Sequence, residues 1–301
     1  MTDQADILSQ FSIAMSSRVA AANAWIAAIR LSPAGRHITG TVWQPDVIVT
    51  SEQSLSKRDE FELVAAGGSV TSARVVGRDP ATNIAVLKLA QPVSSTNAIP
   101  GEARAGALVL SVGADAHGRS TARLGVVNAV EPEWYSSLGG RIDQRIVLDI
   151  DLGRSEEGGP IFDAAGALLG MSTFGPRRRV LVIPAATIKR IVPSLLKEGR
   201  IARGWLGAAL RPVAVPDALG DAAGQPSGLM VMSLTDGGPA ANAGILAGDI
   251  ILTVDGASAR RMRNITARLG GDSIGRKVDL RFIRSGAVMS RQATITERPT
   301  S

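Results

Sequence analysis

Apolar residues change their period twice along this chain. Phe11, Met15, Val19 and Ala22 recur at helical spacing, so residues 5–22 are expected to form an amphipathic helix. Its apolar face must pack on the next domain or on a neighbouring subunit. From Trp25 to about Ile183 the pattern becomes one of short β-rich runs, among them WIAAIRL, HITGTVW, VIVTS, FELVAA, IAVLKLA, ALVLSVG and QRIVLDI, separated by Gly, Pro, Asp and Ser turns. Many short strands at such spacing predict a sandwich or barrel. The polar, Pro-containing segment 91–106 would divide it into two halves. Residues 184–199 read as helical, with Pro193 marking a break or the first turn of a second helix and Gly199 a C-terminal stop. A second strand-rich domain starts near Ile201, with one helical stretch at about 261–270.

Composition narrows the chemistry. The 301 residues suit two or three domains, and 45% hydrophobic content supports true cores. Aromatics make up only 3%, so Val, Ile, Leu and Ala must fill those cores. With no cysteine and only His37 and His117, thiolate chemistry is excluded and a zinc site of His and Cys ligands is close to impossible, so neither a metal nor a cofactor is expected. The net charge of +6 favours acidic partners, yet the basic residues are scattered apart from Arg177–Arg179 and Arg260, Arg261 and Arg263. Both groups read as solvated loops, and with one Tyr there is no stacking platform for a nucleic acid. No run of about 18 apolar residues predicts a membrane span. The polar, acidic N-terminus MTDQADILSQ lacks the parts of a secretory signal, which points to the cytoplasm, or to the periplasm if a signal was removed.

Four segments together resemble the HtrA-type serine proteases: TGTVWQPDVIVTSEQSL (39–55), VVGRDPATNIAVLKL (75–89), IVLDIDLGRSEEGGPIFDAAGALLGMSTFG (146–175), and the junction GRIARGWLGAALRPV (199–213) followed by residues 228–259. The resemblance implies a fold dominated by β-structure: an N-terminal helical segment (1–23), a trypsin-like double β-barrel (24–192), a linker (193–202) and a smaller α+β PDZ domain (203–297). It also implies a His, an Asp and a Ser, since the chemistry needs an imidazole base, a carboxylate that fixes its tautomer, and a hydroxyl nucleophile. All three positions are replaced. Gln53 stands at the His position, and a primary amide has no useful basicity near neutral pH. Asn83 stands at the Asp position, where an amide would permit the wrong tautomer. Anchoring on Gly158-Gly159-Pro160 puts Glu157 at the nucleophile. The chain therefore reads as a pseudoprotease.

Two other chemistries stay open at this stage. Ser155 becomes the nucleophile if two extra residues are allowed in the turn, and Glu156 with Glu157 could form an acid pair, although adjacent residues in an extended turn usually point apart. Glu157 has two options of its own. Its carboxylate could accept the oxyanion-loop amides of Ser155 and Glu157, or nearby donors, and plug the hole, or it could face solvent beside a relaxed loop.

In the second domain, Trp205-Leu206-Gly207-Ala208 fits the family's carboxylate-binding loop, and residues 209–213 would pair with an extended peptide or a polypeptide C-terminus. Pro212 removes a donor late in that strand. Ile265 and Leu269 are candidates for the far wall of the groove, or ordinary core residues. The family's habit of trimerising suggests a homotrimer, or mixing with an active paralogue, through the N-terminal helix.

Overall fold

The computed structural model describes residues 2–32, 35–94 and 99–299; of the dividing segment 91–106, residues 95–98 lie outside these. The N-terminal helix forms as α1 (Thr2–Ala22). Met15 and Val19 of the expected face pack against a cluster containing Trp25, Ala28, Leu110, Val112 and Phe162. Phe11 and the neighbouring Ile7, Leu8 and Ile13 are exposed instead. The helical spacing identified the element, but only its second half finds a core in this chain.

Twelve strands then build two closed antiparallel barrels. The first uses β1 (Ile26–Arg30), β2 (His37–Gln44), β3 (Val47–Ser51), β4 (Glu60–Ala65), β5 (Val70–Asp79) and β6 (Ile84–Leu89), in the order β1-β2-β3-β6-β5-β4. The second uses β7 (Leu108–Ala114), β8 (Ser120–Glu131), β9 (Arg145–Asp149), β10 (Pro160–Asp163), β11 (Leu168–Phe174) and β12 (Val180–Pro184), in the order β9-β12-β11-β10-β7-β8. Aliphatic side chains fill both interiors, as the scarcity of aromatics demands: Ile29, Ile48, Leu63 and Leu87 in the first, and Val127, Ile146, Ile161 and Val182 in the second. Closure leaves no free sheet edge. Trp25 meets Phe162 edge-to-face at 5.9 Å in the cluster shared by the two barrels, which sets β3 and β11 to face one another.

The expected break at Pro193 is absent. A single helix, α2 (Ala185–Glu198), runs through the proline and ends at Gly199 in the left-handed conformation, so residues 193–198 of the expected linker are helical. A proline inside a helix costs about 3 kcal/mol. Ile188, Ile191, Val192 and Leu195 are buried along one side of this helix, and burying aliphatic side chains gains roughly 1.5–3 kcal/mol each. Burial outweighs the proline. Gly77 on β5 permits the close approach, since a Cβ there would lie 2.7 Å from the Cβ and carbonyl oxygen of Leu195.

The chain divides into two compact units, Met1–Trp134 with Ile142–Arg200, and Tyr135–Arg141 with Ile201–Ser301. The second unit carries the strands β13 (Ala208–Ala214), β14 (Ser227–Leu234), β15 (Ile250–Val254), β16 (Lys277–Arg284) and β17 (Ala287–Thr294), paired in that order, and the short helix α3 (Met262–Thr266). Leu229, Val254, Ile265, Leu280 and Phe282 form its core. Asp249 is 2% exposed and accepts two hydrogen bonds from Arg284, at 2.8 and 2.6 Å, and one from the Leu246 amide. The carboxylate's hydrogen bonds raise the Arg284 pKa above its ordinary value, against an opposing contribution from desolvation.

Candidate functional site: a replaced triad between two barrels

The three replaced positions meet between the barrels. Gln53 lies in the turn after β3, Asn83 just before β6, and Glu157 in the loop before β10. Asn83 adopts φ 58°, a left-handed conformation in which Asn is one of the more readily accommodated residues. Its side-chain oxygen accepts the Gln53 amide N–H at 2.8 Å, and its nitrogen donates to Thr173 Oγ1 at 2.6 Å and Ser51 Oγ at 3.0 Å. The side chain that should orient an imidazole is thus spent on a turn and on two hydroxyls.

Glu157 is turned inward and accepts from donors near the oxyanion loop. It is 4% exposed, so it does not face solvent. Its Oε1 accepts from Gln53 Nε2 at 2.7 Å, Ser51 Oγ at 2.8 Å, Thr173 Oγ1 at 3.0 Å and the Phe174 amide at 3.3 Å, and its Oε2 accepts from Ser54 Oγ. Among the described residues these are the donors to the carboxylate; the Ser155 and Glu157 amides are not among them. The carboxylate forms a clamp, in which one side chain from the second barrel gathers Ser51, Gln53 and Ser54 of the first together with Thr173 and Phe174 of its own. Gln53 adds direct bonds across the same gap, to Thr173 Oγ1 at 3.1 Å and the Phe174 carbonyl at 2.9 Å.

The backbone at this turn tolerates only glycine. Gly158 has φ +89°, and a Cβ there would sit 2.2 Å from the Thr39 carbonyl oxygen and 2.3 Å from Thr50 Oγ1. Thr41 Oγ1 donates to the Gly158 carbonyl at 2.8 Å, and Thr39 Oγ1 to that of Ser155 at 2.7 Å. Glu156 turns the opposite way from Glu157. It is buried and accepts from the Gly153 amide at 2.6 Å and from Arg123 Nε at 3.0 Å, and these contacts hold the Arg123 pKa above its usual value. The two adjacent carboxylates serve different donors and form no acid pair.

Ser155 lines the cleft above the clamp, and so does His37. His37 begins β2, and its Nδ1 and Nε2 lie 3.2 Å from the Gly35 carbonyl and 3.1 Å from the Ala114 carbonyl. Both ring nitrogens lie within hydrogen-bonding distance of main-chain carbonyls, and among the described residues no hydrogen bond joins His37 to the Ser155 hydroxyl. No motif spacing could have placed His37 here, because its neighbours come from the fold. Among the described residues there is no group of three or more His, Asp or Glu side chains suited to a metal.

In the second unit, the Trp205–Ala208 loop is pinned by its backbone. Trp205 pairs with Thr296, the Leu206 carbonyl accepts from Ala240, and Gly207, at φ 75°, accepts from Thr235. β13 is an edge strand paired only with β14, and it carries Pro212 opposite Leu229. Its other edge is available for a further strand. Ile265 is 2% exposed and packs in the core, the second of the two roles left open for it; Leu269 and Ala208 are only partly buried against that core.

The comparisons agree with this architecture. Residues 38–171 match the trypsin-like peptidase domain family and residues 204–295 the PDZ domain family. A probable periplasmic serine endoprotease, DegP-like, of Brucella suis biovar 1 (strain 1330) is 30% identical over 262 residues, covering 84% of this chain and 50% of that protein. The serine endoprotease DegS of Escherichia coli (strain K12) is 26% identical over 271 residues, covering 86% of this chain and 76% of that one. The chain spans about half the length of the DegP-like relatives it matches. The solved structure of the HtrA-type protease AlgW with a decapeptide has the same fold, with a TM-score of 0.72 at 23% identity, covering 95% of this chain and 99% of that chain. With both domains, their order and the surrounding motifs in agreement, the chain belongs to the HtrA family of trypsin-like proteases carrying a PDZ domain.

Proposed function

We propose that this chain is a non-catalytic member of its family, a peptide-binding scaffold that acts through its PDZ edge strand and its altered protease cleft. The observation that carries the reading is the Gln53–Asn83–Glu157 network. Peptide-bond attack needs a hydroxyl whose proton an imidazole can accept. The amide of Gln53 donates to a carboxylate that occupies the place of the nucleophile, so the pair runs opposite to a base and its nucleophile. The family's PDZ domain supports binding of extended peptides or polypeptide C-termini by β13. The DegP-like relatives are named as periplasmic, which supports a periplasmic place for this chain over the cytoplasmic one expected from its N-terminus. The exposed apolar half of α1 supports self-association, as a homotrimer or with an active paralogue.

The test is incubation of the full chain with unfolded casein and with a fluorophosphonate probe. Intact casein and no covalent label are expected. Labelling at Ser155 that disappears in Ser155→Ala would overturn the reading and make the chain an active hydrolase. Trace cleavage alone would not, because an oxyanion hole and substrate binding leave roughly 10³–10⁴-fold catalysis over water when a triad is removed.

A further inference from the structure

The cleft above the clamp has a volume of about 800 Å³ and is lined by Leu31, Ile38 and Leu55 below and by Arg36, Arg154 and Arg178 around it. All three arginines are exposed, and among the described residues none forms an ion pair. Among the described residues the only carboxylate on the lining is Glu157, whose charge is already shared by five donors. The cleft therefore presents uncompensated positive charge around an apolar floor.

Arg178 is held there at a conformational cost. Arg177 and Arg178 both adopt φ 57°, uncommon for residues with a side chain, and such positions cost of order 1–3 kcal/mol each. In this turn the Arg178 guanidinium lies 5.2 Å from the centroid of the Phe174 ring, beside the Phe174 main chain that Glu157 and Gln53 hold. The arginine run that the sequence suggested was a solvated loop thus contributes one residue to the site.

Resting on the non-catalytic reading of the same site, we propose that the cleft binds an extended acidic peptide segment, with carboxylates on Arg36, Arg154 and Arg178 and an apolar residue between them on Leu31, Ile38 and Leu55. A carboxylate can take two parallel hydrogen bonds from each guanidinium. An apolar floor suits a peptide side chain, whereas a single-stranded nucleic acid needs aromatic faces on which bases stack, and of the two rings on the described lining Phe174 is covered by Arg178 and His37 is turned to main-chain carbonyls.

The experiment uses the full chain and fluorescein-labelled peptides with amidated C-termini, which deny the PDZ loop its carboxylate. An Asp/Glu-rich peptide with a central Leu is compared by anisotropy with its Asn/Gln counterpart and with a single-stranded oligonucleotide of equal length. The acidic peptide is expected to bind at least roughly tenfold more tightly than its neutral counterpart. Arg154→Glu and Arg178→Glu should each remove most of that difference, while circular dichroism and melting temperature stay unchanged. Equal binding of the two peptides, acidic preference that survives both reversals, or tighter binding of the oligonucleotide with a steeper salt slope would each overturn the inference. Mass spectra of the same mixtures separate the two claims. Cleaved peptide would sink the non-catalytic reading and leave the acidic preference standing, and uncleaved, unbound peptide would do the reverse.

Discussion

Replacing Glu157 by alanine removes the acceptor of five hydrogen bonds, three of which, from Ser51, Gln53 and Ser54, join the two barrels. Hydrogen bonds to a charged group contribute roughly 1.5–3 kcal/mol each, so the gross loss is large. Two effects reduce it. Burying the carboxylate itself carries a desolvation penalty of several kcal/mol, which the variant escapes. Some donors also keep other partners: Gln53 retains the Phe174 carbonyl and Ser51 retains Asn83, while half-buried Ser54 can turn to water. The net cost is expected to be about 2–4 kcal/mol, above the roughly 0.8 kcal/mol that the one lost methylene would explain. For a unit of this size that lowers the melting temperature by about 4–16 °C. Calorimetry of the full chain, with the transitions of the two units fitted separately, reads this directly. Glu157→Gln should also destabilise, because its new NH₂ group meets the Ser54 and Gln53 donors. A loss below about 1 kcal/mol in Glu157→Ala, or a shift confined to the second unit's transition, would refute the view that this carboxylate fastens the barrels together.

Restoring the hydroxyl alone should not restore chemistry. Glu157→Ser is expected to leave casein intact because Gln53 cannot take a proton, whereas adding Gln53→His and Asn83→Asp should raise the initial cleavage rate by at least about 10²-fold, the contribution of a positioned acid–base group. Gly158→Ala should cost more than about 3 kcal/mol in urea denaturation, since its Cβ would overlap the Thr39 carbonyl and Thr50 hydroxyl in a left-handed turn. Asp249→Ala strands Arg284 and should lower the second unit's melting temperature by several degrees while leaving the first unit's unchanged. Burial pushes the Asp115 pKa up, but hydrogen bonds from Arg119 and the His117 amide prevail and hold it below the ordinary value. Its stabilisation is therefore present above the usual carboxylate range and is lost as the pH falls through the lowered value. Asp115→Asn should flatten the acid limb of a stability–pH curve by less than about 1 kcal/mol, as befits a pair largely in solvent.

Much of this protein was readable from its linear order. The alternating runs predicted closed β-structure, and residues 39–55, 75–89 and 146–175 located Gln53, Asn83 and Glu157, because each sits at a fixed offset from a strand or a glycine turn. That these positions carry an amide, an amide and a carboxylate follows from residue identity and needs no coordinates. The direction of each side chain did not follow. Glu157 closes on Ser51, Gln53 and Ser54, more than 100 positions away, and His37 meets Ala114 across 77. Such pairings exist only once the barrels are packed, and no local pattern encodes them. Pro193 was misjudged for a related reason: local propensity argues for a break, but four buried side chains on α2 outweigh it. Ile265 shows the same limit, since an apolar residue on a short helix has one sequence signature whether it walls a groove or fills a core. Residue identity thus marked Gln53, Asn83 and Glu157 as a set, while long-range packing alone joined them into a fastening between two barrels.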